Sequence, residues 1–95
     1  MNDNKNTAVI SVVGKDRVGI IYGVSKLLAE YGINIKYISQ TVMSDNILTM
    51  IMMVDLNDVK IENSDISEKL NELGKSLDLQ INIQHTGLFN AMHRL

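Results

Sequence analysis

Apolar and β-branched residues fill Thr7-Ala8-Val9-Ile10-Ser11-Val12-Val13, and Gly14 then interrupts them, a pattern that predicts a first strand. Both faces of this strand are largely apolar, as in a strand with a neighbour on each side. From Ile20 the pattern changes period. Apolar residues at 20, 21, 24, 27, 28 and 31 make one stripe on a 3.6-residue helix, and Gly32 follows where a left-handed C-terminal cap belongs. Two extended runs come next, Ile33 to Ser44 and Ile47 to Asp55, split by Asp45-Asn46, a pair tolerant of positive φ. They predict a hairpin. Polar residues from Asn57 to Asn63 lead into Asp65-Ile66-Ser67-Glu68, which has capping-box spacing, with apolar positions at 66, 70, 73 and 77 for a second helix that Gly74 weakens. Leu79, Ile81 and Ile83 alternate with Gln80, Asn82 and Gln84, as in a final strand at a sheet edge with one face wet.

The predicted order is β-α-β-β-α-β. Two split βαβ units of this kind place both helices on one face of a four-stranded antiparallel sheet, so the expected class is α+β, a ferredoxin-like sandwich. The strand from Ile47 to Asp55 adds a further expectation. Leu48, Met50, Met52 and Val54 share one face, and Ile47, Ile51 and Met53 share the other. The helices cover only one of these, so a second copy of the chain, as a homodimer, is expected over the other.

The 95 residues suffice for one domain, and 45% apolar with 21% charged is an ordinary globular composition. Nine basic against eleven acidic residues, a net charge of -2, supply no basic stripe for phosphates, which argues against direct nucleic-acid binding. The chain has no cysteine, so disulfides, thiolate nucleophiles and zinc ribbons are absent, in keeping with a reducing compartment. No apolar run reaches the roughly 20 residues that span a bilayer, and the first six residues lack a signal-peptide core, so the expected location is the cytoplasm.

Candidate chemistry concentrates in Gly14-Lys15-Asp16-Arg17-Val18-Gly19, between the first strand and the first helix. Such a junction presents free backbone N–H groups and the positive end of a helix dipole, a natural seat for a carboxylate. Asp16 as a helix cap, with the glycines as turn residues, is the structural alternative. Together with the helix stripe and Tyr31-Gly32-Ile33-Asn34-Ile35, the stretch resembles an ACT domain, a family of small-molecule-sensing modules. Asp16, Arg17 and Gly19 match the family's first turn, and Gly32, Asn34 and Ile35 match the start of its second strand. The sequence departs at Val18, where Pro is usual, and at Gly14, where a His is often found. The resemblance spans residues 7 to 84, with 1–6 expected to be disordered and 85–95 to form a tail. In the tail Leu88, Phe89, Met92 and Leu95 suit a short docking helix. With no companion domain, the chain resembles the free-standing ACT proteins of bacteria and archaea, whose relatives include the glycine cleavage repressor.

The resemblance implies a regulatory module without catalytic residues, cofactor or metal, which binds an amino-acid effector as a homodimer and signals to a separate, unidentified protein. It implies a site of Gly14, Lys15, Asp16, Val18, Gly19, Ile20 and Asn34. Backbone N–H groups from Lys15 to Ile20 would hold the effector carboxylate, Asp16 its ammonium, and Asn34 would come from the neighbouring subunit. Two other functions stay open. Acylphosphatases share the topology, and Arg17 with Asn34 loosely echoes their catalytic pair, although Asp16 would repel a phosphate dianion there. A ligand-free protein adaptor is the third. Met43, Met50, Met52 and Met53 read as core filler rather than a copper site. His85 and His93, eight residues apart, have no metal-ligand spacing around them.

Overall fold

In the computed structural model, residues 7–57 and 63–85 are described, so the segment 1–6 and the proposed tail helix beyond 85 lie outside them. The elements run β1 (Thr7–Lys15), α1 (Ile20–Glu30), β2 (Asn34–Val42), β3 (Ile47–Asp55), α2 (Asn63–Leu77) and β4 (Leu79–His85). The strands form one antiparallel sheet in the order β2-β3-β1-β4, which puts β1 inside and β4 at an edge, as their apolar patterns imply. Ala8, Ile10 and Val12 of β1 and Leu48, Met50, Met52 and Val54 of β3 are buried beneath Val24 and Leu28 of α1 and Leu70 of α2. Met50 and Met52 are thus core filler; Met43, in the hairpin turn, and Met53, on the helix-free side, are exposed.

The caps explain several boundaries. Gly32, at φ 74, ends α1 in a Schellman arrangement: the Ile33 N–H donates to the Leu28 carbonyl at 2.9 Å and the Gly32 N–H to Ala29 at 3.1 Å. The side chains of Leu28 and Ile33 are both buried, which supplies the motif's apolar contact. Between β2 and β3 the turn spans Met43 to Asn46, closed by the Asn46 N–H on the Met43 carbonyl at 2.8 Å, with Asn46 alone at positive φ, 68. That is a three-residue loop with a bulge residue rather than a two-residue hairpin, and β2 is correspondingly shorter than the apolar run.

Two further expectations need correction. Gly14 does not stop β1: the strand continues to Lys15, and Gly14 pairs with Leu48 on one side and Leu79 on the other. A Cβ there would sit 2.5 Å from Leu79 Cδ2 and 3.1 Å from the Asp78 carbonyl, so the glycine serves close approach. α2 begins at Asn63, two residues before the capping-box Asp65, which lies in the first turn as a favourable acidic residue instead.

Candidate functional site

The β1–α1 loop is held from two directions. The Asp16 N–H donates to the Asn46 carbonyl at 2.9 Å, tying the loop to the β2–β3 turn. Arg17 reaches the other way: its Nη1 donates to the Leu77 carbonyl at 3.0 Å, at the C-terminal end of α2, where a cation also meets the negative end of the helix dipole. Beneath it, Leu79 is wedged between Gly14 of β1 and Gly74 of α2. A Cβ at Gly74 would lie 2.7 Å from the Leu79 carbonyl oxygen. These anchors position the loop, yet Asn46, Leu77 and Gly74 carry no motif that would announce them.

Gly19 precedes α1 as its N-cap, at φ 97 and ψ -3, and no side chain hydrogen-bonds to the helix start. The capping alternative for Asp16 is therefore overturned. α1 also has no acidic residue in its first turn. The first intrahelical bond runs from the Gly23 N–H to the Gly19 carbonyl at 2.9 Å, so the amides of Ile20, Ile21 and Tyr22 point out of the helix start without an intrahelical acceptor. Lys15, Asp16, Val18 and Gly19 are exposed, Val18 completely, whereas the Ile20 side chain enters the core. Open N–H groups, a positive dipole end and the free Asp16 carboxylate can together engage a small zwitterion.

Asn34 is elsewhere. It pairs with Asp55, and Asp55 with Thr7, whereas Lys15 pairs with Ile47 at the opposite end of the sheet. From Thr7 to Lys15 the strand rises about 3.3 Å per residue, which separates Asn34 from the loop by roughly 26 Å within one chain. The six loop and helix-start residues, Gly14, Lys15, Asp16, Val18, Gly19 and Ile20, are together; Asn34 is not. Arg17 and Asn34, the pair that echoes acylphosphatase, are likewise at opposite ends, and Arg17 is engaged with α2. Among the described residues no group of three or more His, Cys, Asp or Glu is placed to hold a metal ion, and no helix is long and apolar enough to cross a membrane. A depression of about 460 Å³ between α2 and the β4 edge is lined by Val13, Asn71, Gly74, Lys75, Asp78, Leu79 and Gln80, and of the candidate residues it borders none.

Residues 6–84 match the family model for the ACT domain. A UPF0237 protein of Methanocaldococcus jannaschii is 45% identical over 92% of this chain and 96% of its own length. Among solved structures, an ACT domain protein from Streptococcus pneumoniae is 42% identical with a TM-score of 0.77, covering 87% of this chain and 92% of that one. A structure provisionally assigned as a glycine cleavage system transcriptional repressor is 28% identical with a TM-score of 0.68, over 82% of this chain and 44% of that one.

Proposed function

The chain belongs to the ACT-domain family, and from that premise we propose that it is a cytoplasmic amino-acid sensor whose binding site is completed across a homodimer and whose output passes to a separate protein. The observation that carries the reading is the distance of roughly 26 Å between the loop and Asn34, the two parts of the site that the family resemblance implies. The loop and Asn34 cannot meet in one chain, but a two-fold axis that pairs β2 with the partner's β2 in antiparallel fashion reverses strand direction. The partner subunit's Asn34 then arrives beside Val42, next to the turn whose Asn46 carbonyl already holds Asp16. β2 suits such pairing. It is a sheet edge, nine residues long, and it carries Ile38 and Val42, 41% and 49% exposed, on the side of α1.

In the assembled site, loop amides hold the ligand carboxylate, Asp16 takes the ammonium and the partner's Asn34 fixes orientation. Each charge-assisted hydrogen bond contributes about 1.5–3 kcal/mol, so Asn34→Ala weakens binding roughly ten- to hundredfold. The provisional repressor assignment of the 28% identical relative supports a regulatory output, and no catalytic role is assigned to any residue.

The test is a calorimetric titration with each of the twenty amino acids, followed by subunit mixing. One amino acid or a related small group is expected to give heat and raise the melting temperature. Asp16→Ala and Asn34→Ala each bind weakly alone, but co-refolded together they regain one tight site per heterodimer, since one of its two sites combines an intact loop with an intact Asn34. No heat from any amino acid at millimolar concentration overturns ligand sensing; no recovery on mixing overturns the shared site.

A further inference from the structure

The proposed pairing of β2 edges, on which the four-chain assembly below rests, leaves bare the helix-free face over which the apolar pattern of β3 places a second copy, and this face has the layout of an interface. Its centre is apolar: Val13 of β1, Ile51 and Met53 of β3 and Tyr37 of β2 are 43%, 44%, 41% and 55% exposed, with Val9 half-buried among them. Its flanks are polar, with Gln80, Asn82 and Gln84 along β4 and Ser39 and Thr41 along β2, all exposed, and Lys36 stands unpaired in the β2 bulge. An apolar centre within a polar rim is the anatomy of a protein interface. Among the described residues paired on this face, two are charged: Lys15, at one end of β1, and Asp55, at the other end of the adjacent β3.

We propose that this face is a second self-association surface, on which another copy of the chain packs face to face with its strands reversed, joining two edge-paired dimers into a four-chain particle. The charges select the occupant. A two-fold axis lying between the two faces and perpendicular to the strands inverts strand direction. It thereby brings Lys15 of each copy over the end that carries Asp55 of the partner subunit, twice per interface. Asp55 Oδ1 already accepts the Asn57 N–H at 2.9 Å, and its second oxygen is available for the ammonium. The same axis lays the apolar centres together and sets amide and hydroxyl flanks opposite one another. The face is large enough. Four strands about 4.8 Å apart, with nine-residue central strands rising about 3.3 Å per residue, present roughly 570 Å² per copy. Two copies then bury about 1,100 Å², above the roughly 1,000 Å² of a specific interface. Combined with the β2 pairing, the arrangement closes with three perpendicular two-fold axes, so it stops at four chains.

Sedimentation velocity at tens of micromolar tests this with Ile51→Asp, Met53→Lys and the charge reversals Lys15→Asp and Asp55→Lys. The wild type is expected at four chain masses of 10.6 kDa each, and Ile51→Asp and Met53→Lys at two, with unchanged circular dichroism. Each single charge reversal raises the dissociation constant about tenfold or more, and the two together bring it back toward wild type, a recovery that misfolding would not produce. A wild type at two chain masses that Ile51→Asp leaves unchanged overturns the proposal. So does a face protected from hydrogen exchange in single chains only while residues 86–95 are present, because the tail is then the occupant. If Ile51→Asp instead takes the particle directly to single chains, the face interface stands and the β2-edge dimer falls, so the two readings fail separately.

Discussion

Gly23 and Gly74 both lie inside helices, and the same substitution is expected to act on them with opposite sign. Replacing glycine by alanine in a helix interior gains about 1 kcal/mol in propensity. At Gly23 the new methyl would meet Leu77 Cδ1 at 3.4 Å and Leu73 Cδ1 at 3.8 Å, ordinary contacts with the mobile ends of two leucines, so the propensity gain survives. At Gly74 it would lie 2.7 Å from the Leu79 carbonyl oxygen and 3.4 Å from Ile81 Cγ1. That oxygen belongs to the β4 backbone, which pairs with β1 through Gly14, and it cannot withdraw without lifting α2 from the sheet. Overpacking of this kind costs about 1–3 kcal/mol and outweighs the propensity gain. Gly23→Ala should therefore stabilise by about 1 kcal/mol and Gly74→Ala should destabilise by about 1 kcal/mol. For a domain of this size that corresponds to melting shifts of roughly 4–8 °C in opposite directions. Urea denaturation of both variants at one protein concentration, so that any self-association contributes equally, gives the comparison. Two variants shifted upward by similar amounts would refute the claim that α2 and β4 approach each other too closely for a side chain.

Met52→Asp buries a charge at a fully buried position under the helices and should abolish folding, whereas Met53→Asp, on the helix-free face, should leave a folded chain with altered assembly. Gel filtration with circular dichroism separates the two, and equal damage from both would contradict the assignment of faces. Asp16→Ala should lower ligand affinity while changing stability by no more than about 0.5 kcal/mol, because the side chain is exposed and caps nothing; a loss near 1 kcal/mol in a melting experiment would restore a capping role.

Periodicity alone determined the order of the elements, the apolar stripe of α1, the glycine cap at residue 32 and the division of β3 into a helix-facing and a free side. Each follows from contacts between residues close in sequence, or from the fixed repeats of helix and strand, so local pattern suffices. The clustering of the six candidate residues at the β1–α1 junction was legible for the same reason, because they are nearly contiguous. In the sequence Gly14 and Gly74 look like local punctuation, because their reason for being glycine is Leu79, which reaches both only when α2 and β4 close on β1. The anchoring role of Arg17 is not legible in the sequence because its acceptor, the Leu77 carbonyl, is sixty residues away along the chain. The 26 Å that separates Asn34 from the loop is a product of strand register, which no local pattern encodes, and it is this distance that makes the proposed site depend on a second subunit.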